Sequence, residues 1–313
     1  MMLDIRFPGL GITLDNVKDG FNLFGIDVKF YGIVITIGFL VAYFMSVNYA
    51  KKSGQDDELY LDFLLWLVIP AILGARLYYV IFSWDEYFVK GKGFGETLLD
   101  LINIRNGGLA IYGGIIAGVI VAIFFAKKKK ANLMLMADTI APGLLAAQAI
   151  GRLGNFFNRE AFGEYTDSLF RMCIPVDYYV NEGSLSGLVN SGVITEKMAN
   201  NLVEYDAMQW ISVHPTFLYE ALWNIAFMII ILIYRKYKKF DGEIGLLYVW
   251  GYGLGRVWIE GLRSDSLIIP GIDIKASQLL AAICVLVASI VLVKKRMDVA
   301  QNMVKKSSVD VKK

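Results

Sequence analysis

Histidine and cysteine are nearly absent from this chain of 313 residues, and their scarcity closes off several kinds of chemistry. A single histidine, His214, excludes a multi-histidine metal site. The two cysteines, Cys173 and Cys284, lie far apart and form no CxxC pair, so neither a disulfide framework nor a zinc site is expected. Charged residues make up only 19% of the chain, no aspartate-rich metal motif occurs, and no internal repeat is visible. Residues 1–28 contain no apolar core followed by a small-residue cleavage site, so no cleaved signal peptide is expected. No metal, no cofactor and no nucleic-acid partner is expected. The formal net charge of +2 says little by itself.

What is abundant is apolar surface. Hydrophobic residues are 56% of the chain, too many for an ordinary soluble domain and typical of a polytopic membrane protein. Seven segments approach the roughly 20 residues a helix needs to cross a bilayer. They are 31–50, 59–82, 107–126, 131–151, 213–234, 244–262 and 276–293. The expected fold is therefore an all-α polytopic membrane protein with about seven transmembrane helices.

Lysine and arginine set the orientation. One side gathers 17 of them in short loops and in the C-terminal tail, against 12 spread over longer segments on the other. The N-terminus is then outside and the C-terminus cytoplasmic. The chain divides into an extracytoplasmic arm (1–28), transmembrane helices 1–4 with a polar segment at their end (29–163), a small extracytoplasmic head domain (164–212), helices 5–7 (213–296) and a basic cytoplasmic tail (297–313). The head, which includes NEGSLSGLVNSGVITEKMANN, reads as turns plus a short amphipathic helix.

In that topology the unusual residues fall on one side. Tyr31, Arg76, Tyr112, Arg152, His214, Glu220, Arg256 and Glu260 all lie in the outer half of the spans, and only Asp62 and Asp138 lie in the inner half. Ionisable groups at this depth are costly and mark functional sites by default. Arginine there suits a phosphate, because its planar fork donates two parallel charge-assisted bonds. Arg152, Asn155 and Arg159 share one helix face at i, i+3 and i+7; a solvated helix end explains that spacing equally well. Arg256 and Glu260 read either as a structural ion pair or as part of a site. GGLAIYGGIIAG (107–118) places small residues where helices approach closely. Lys90, in the loop 83–106, is expected to be dispensable.

GRLGNFFNREAFG (151–163) resembles the signature of the prolipoprotein diacylglyceryl transferases, a bacterial family. KFYGIVI (29–35), GARLYYVIF (74–82), RNGGLAIYGGIIAG (105–118), ADTIAPGLLAAQAIGRLGN (137–155), HPTFLYE (214–220) and GYGLGRVWIEGLRSD (251–265) resemble further family blocks, in family order. The resemblance implies a multi-pass protein of the bacterial cell membrane with its active site towards the outer leaflet. It implies transfer of diacylglyceryl from phosphatidylglycerol to the lipobox cysteine of a prolipoprotein signal peptide, with release of glycerol phosphate. By the same resemblance Arg152 and Arg256 hold the phosphate, Asn155 and Glu160 orient headgroup or thiol, Glu260 matches the family glutamate of its block, and Tyr31, Tyr252, His214 and Glu220 match further motif positions at the headgroup or just behind it; Arg76, placed at the same depth by the topology, is expected to bind substrate with them. Tyr112 stands where many members carry a histidine, which puts a histidine base in doubt. Tyr112 then serves as a hydrogen-bonding group, or Glu160 or water takes the thiol proton. Two other classes stand beside this one: another enzyme acting on the same lipid, and a lipid transporter.

Overall fold

Long apolar runs leave the backbone no partner but itself, so they fold as helices. The computed structural model describes residues 3–87, 93–103, 107–179, 184–269 and 271–310. Lys90, Arg105, Asn106 and the opening residues of the 181–201 stretch lie outside these. The chain divides into two compact units, Met1–Ala42 with Ile140–Lys313, and Tyr43–Thr139.

All seven expected segments are helical: α1 (Phe30–Lys52), α2 (Glu58–Phe82), then, after two short helices α3 (Trp84–Tyr87) and α4 (Phe94–Ile102), α5 (Ile111–Lys129) and α6 (Leu133–Asn158). Beyond two short helices, α7 (Leu185–Asn190) and α8 (Glu196–Ala199), come α9 (Thr216–Tyr234), α10 (Glu243–Leu262) and α11 (Ala276–Asp310). Among the described residues, six are long and apolar enough to cross a membrane. The remaining expected span, α10, has 20 residues but is not among the six. Its sequence carries Glu243, Arg256 and Glu260 between glycines.

Within Tyr43–Thr139, α2 and α5 are in backbone contact. A Cβ on Gly113 would lie 2.2 Å from the Gly74 carbonyl oxygen, so only glycine permits this approach. Leu65, Ile69, Leu73 and Leu77 repeat every fourth residue along α2 and are all exposed, an apolar stripe of the kind that faces lipid.

The other unit contains a five-stranded antiparallel sheet that an all-α expectation does not include. Its order is β2 (Ile12–Leu14), β1 (Ile5–Phe7), β5 (Met172–Pro175), β7 (Met208–Val213), β6 (Val203–Tyr205). A separate hairpin, β3 (Gly20–Leu23) with β4 (Ile26–Lys29), leads into α1. The sheet therefore joins the N-terminal arm to the later polar segment. Ile5 and Phe7 alternate inward and bury against Met172, Ile174, Leu188, Met198, Ile211 and Val213. Asp206 and Ala207 turn the β6–β7 hairpin with φ of 53° and 59°. That left-handed pair is rare without Asn or Gly, which is why turn chemistry did not announce the hairpin.

Candidate functional site

The segment 151–163 begins as the last turns of α6 and then leaves the helix. Arg159 and Ala161 both adopt left-handed backbone, with φ of 49° and 55°. This corrects the expected shared face of Arg152, Asn155 and Arg159. The helix stops at Asn158, and Arg159 turns into the protein, where it is 1% exposed. Its guanidinium donates to the carbonyls of Val17 (2.6 Å) and Leu3 and lies over the Tyr178 ring. The Tyr179 hydroxyl donates to the Arg159 carbonyl at 2.8 Å. Arg159 thus clamps the N-terminal arm to the end of α6. Gly163 then passes between the start of α9 and the end of α10; its N–H donates to the His214 carbonyl at 2.8 Å. A Cβ there would lie 2.6 Å from the Leu262 carbonyl oxygen.

Arg152 and Asn155, freed from Arg159, face α9 and α10. The Glu220 carboxylate stands between two arginines: Arg152 Nη2 donates to its Oε1 at 2.6 Å, and Arg256 Nη1 to its Oε2 at 2.9 Å. Arg256 also pairs with Glu260, which accepts hydrogen bonds from the Ser266 hydroxyl at 2.8 Å and from Ser277. Tyr252 Oη lies 3.3 Å from Glu220 Oε1. On the other flank Arg152 Nη1 donates to Asn155 Oδ1 at 3.2 Å, and Asn155 Nδ2 to Glu160 Oε1 at 2.9 Å. Tyr31 lies against Gly154, where a Cβ would come within 2.6 Å of its ring.

The result is one connected array from three helices. Glu220 and Glu260 have side chains only 3% exposed, whereas those of Arg152 and Arg256 are 19% and 15% exposed. The buried carboxylates neutralise the arginines, whose side chains remain partly exposed. Glu160 is the exposed carboxylate of the array.

His214 sits at the edge of this set. It precedes α9, and its Nδ1 faces Tyr219 Oη at 3.3 Å. Burial, with the Lys197 ammonium nearby, holds its imidazole below the ordinary value, so the ring is neutral near pH 7.

Arg76 and Tyr112 belong to the unit Tyr43–Thr139. Arg76 spends its whole fork on backbone carbonyls: those of Asp100 (2.6 Å), Leu101 (3.0 Å), Asn103 (3.1 Å), Gly107 (3.0 Å) and Gly108 (2.9 Å). Gly107 and Gly108 adopt φ of 87° and 75°, a backbone that turns both carbonyls towards the guanidinium. Tyr112 opens α5 and packs beside Tyr78.

Several participants went unread in the sequence. Ser266, Ser277 and Lys275 order the end of α10; Lys275 Nζ donates to the carbonyls of Glu260 (2.8 Å) and Gly261 (3.1 Å). Nothing in their local sequence marks them. Asn224 went unread too, although a lone amide four residues after Glu220 in an apolar run is a signal that could have found it.

The family described as prolipoprotein diacylglyceryl transferase matches residues 19–294. A phosphatidylglycerol–prolipoprotein diacylglyceryl transferase of Finegoldia magna is 38% identical over 273 residues, 87% of this chain and 92% of that protein. One from Listeria monocytogenes is 36% identical over 87% of each chain, and one from Prochlorococcus marinus 38% identical over 80% of each.

Proposed function

This chain belongs to the prolipoprotein diacylglyceryl transferase family, and we propose that it moves the sn-1,2-diacylglyceryl group of phosphatidylglycerol onto the lipobox cysteine of a prolipoprotein signal peptide. The observation that carries this reading is Glu220 bridging Arg152 and Arg256. Two arginine forks, paired with buried carboxylates and themselves partly exposed, make a ready receptor for one phosphodiester.

The reaction needs a thiolate and a departing phosphate. The cysteine sulfur attacks C3 of the glycerol that carries the acyl chains. The C–S bond forms as the C3–O bond breaks, and the electron pair leaves with glycerol phosphate. Arg152 and Arg256 meet the charge that grows on the phosphate oxygens. Glu220 keeps both forks aimed, and Glu260 holds Arg256 from its other side. Tyr252 steadies Glu220. Glu160 takes the thiol proton, directly or through water, and Asn155 links that carboxylate to Arg152. Tyr31 and His214 border the substrate. Arg76, saturated by carbonyls, ties the end of α4 to Gly107 and Gly108.

In this reading α10 also spans the membrane, bringing the number of spans to seven, because its charges turn inward to other helices. The N-terminus lies outside, the C-terminus in the cytoplasm, and the active site opens to the outer leaflet of the bacterial cell membrane. Arm and head sharing one sheet supports placing both on the same face. The residues present require no metal for this chemistry.

Purified protein given phosphatidylglycerol and a lipobox peptide should add the mass of a diacylglyceryl group to the peptide cysteine. Folded protein that leaves the cysteine unmodified sinks the proposal.

A further inference from the structure

One buried side chain remains without a role. Asn224 lies on α9, four residues beyond Glu220, and is fully buried. Neither atom of its amide has a hydrogen-bond partner among the described residues. On α6 Gln148 stands four residues before Arg152, donates Nε2–H to Tyr248 Oη at 2.9 Å, and leaves Oε1 unpartnered. Unpartnered amides inside an apolar bundle carry a free-energy penalty that leucine would avoid.

Their depth follows from the packing. Arg152 meets Glu220, while Ala141 and Leu145 pack with Phe227 and Ile231, so α6 and α9 run antiparallel. α9 and α10 do likewise, since Arg256 meets Glu220 and Tyr234 meets Glu243. Both amides therefore lie one helical turn, about 6 Å, below the arginine level on the side of the Ala141–Ile231 core. In the topology proposed above, that side faces the bilayer centre.

We propose that Asn224 donates a hydrogen bond to a fatty-ester carbonyl of the donor lipid. This rests on the reading that the lipid phosphate sits at Arg152 and Arg256. Moving inward from that phosphate, a glycerophospholipid next presents its glycerol backbone and two ester carbonyls. These only accept hydrogen bonds, and Asn224 offers two N–H donors. The headgroup hydroxyls lie on the opposite, water side of the phosphate and are out of its reach. Holding the ester beside C3 fixes the carbon that the thiol attacks. Gln148 and Tyr248 border the same level.

The test removes the partner atom from the lipid as well as from the protein. Transfer to a lipobox peptide is measured with ester-linked phosphatidylglycerol and with its ether-linked analogue, which lacks the carbonyls. Wild type should prefer the ester lipid by about tenfold in kcat/KM, the worth of one hydrogen bond. Asn224→Leu should lose that factor on the ester lipid only, bringing the ratio near one, and should melt no lower than wild type. An undiminished ester preference in Asn224→Leu overturns the assignment, and is the result expected of a residue that holds only a structural water. Binding of the two lipids to wild type, without peptide, reads the same preference with no variant and no turnover. Equal affinities there also overturn it. Ester-selective binding without transfer from either lipid would instead remove the transferase reading and leave the Asn224 contact standing.

Discussion

Arg76 and the pair Arg152–Arg256 are two solutions to the same problem, a guanidinium in an apolar helix. Arg76 is met by five neutral carbonyls, three at the end of α4 and two at Gly107 and Gly108. The pair is met by carboxylates. The difference is one of exchangeability. Five carbonyls satisfy all five donors of an arginine and leave nothing to offer a ligand. Carboxylates neutralise charge while engaging only part of each fork, so an incoming anion finds donors still available. Burial of an arginine therefore does not mark a binding site until its partners are counted.

The largest losses are expected at the pair. Arg152→Ala or Arg256→Ala should lower transfer to the lipobox peptide by about 10²–10³-fold, the loss expected on removing a charge-stabilising donor. Retained activity in either variant would dissolve the distinction. Glu220→Gln keeps the size of the side chain and removes the charge that aims both forks. A fall of about 10–100-fold in kcat, with little change in the melting temperature of the unit's sheet core, is the expected result. Arg76→Met tests the opposite corner. It should cost about 2–3 kcal/mol of stability in detergent, by stranding carbonyls that a charged donor served, while the protein that remains folded turns over at near wild-type rate. Tyr112→Phe should stay within about tenfold of wild-type activity, because general-base catalysis contributes about 10²–10⁴-fold and a single hydrogen bond far less. The smallest effect concerns His214. Its folded value is depressed below 6.5, so its contribution to stability is present above that pH and is lost as pH falls through the folded value. His214→Gln should flatten the stability profile in that acid window, read by thermal unfolding between pH 7 and about 5.

Much of this was visible in the sequence where a single physical rule governs. Apolar length found the six membrane-length helices, and charge within the apolar runs singled out Arg152, Glu220, Arg256 and Glu260. The rule fails for α10, whose composition falls below that of the six membrane-length helices because it carries the charges of the array. Helical periodicity put Arg159 on the face of Arg152. It could not foresee a left-handed residue at the helix end, and that one dihedral reverses the side chain. The sheet was missed for a related reason. Its strands have three to six residues, its tightest turn lacks glycine and asparagine, and its partners are separated by the whole length of helices α1–α6. Alternation over so few residues is weak, and pairing at that separation leaves no local trace.

That separation also orders the making of the protein. β1 has β2 beside it from the start, but its other neighbour, β5, arrives more than 160 residues later, and the Arg159 side chain that grips Leu3 and Val17 comes only slightly earlier. Four membrane-length helices are synthesised in between. The N-terminal strand thus waits, one edge open, through the insertion of everything that separates it from its mate. Closure of the sheet is a late, long-loop event in biogenesis, and the last strand it requires, β7, ends immediately before the helix that carries Glu220.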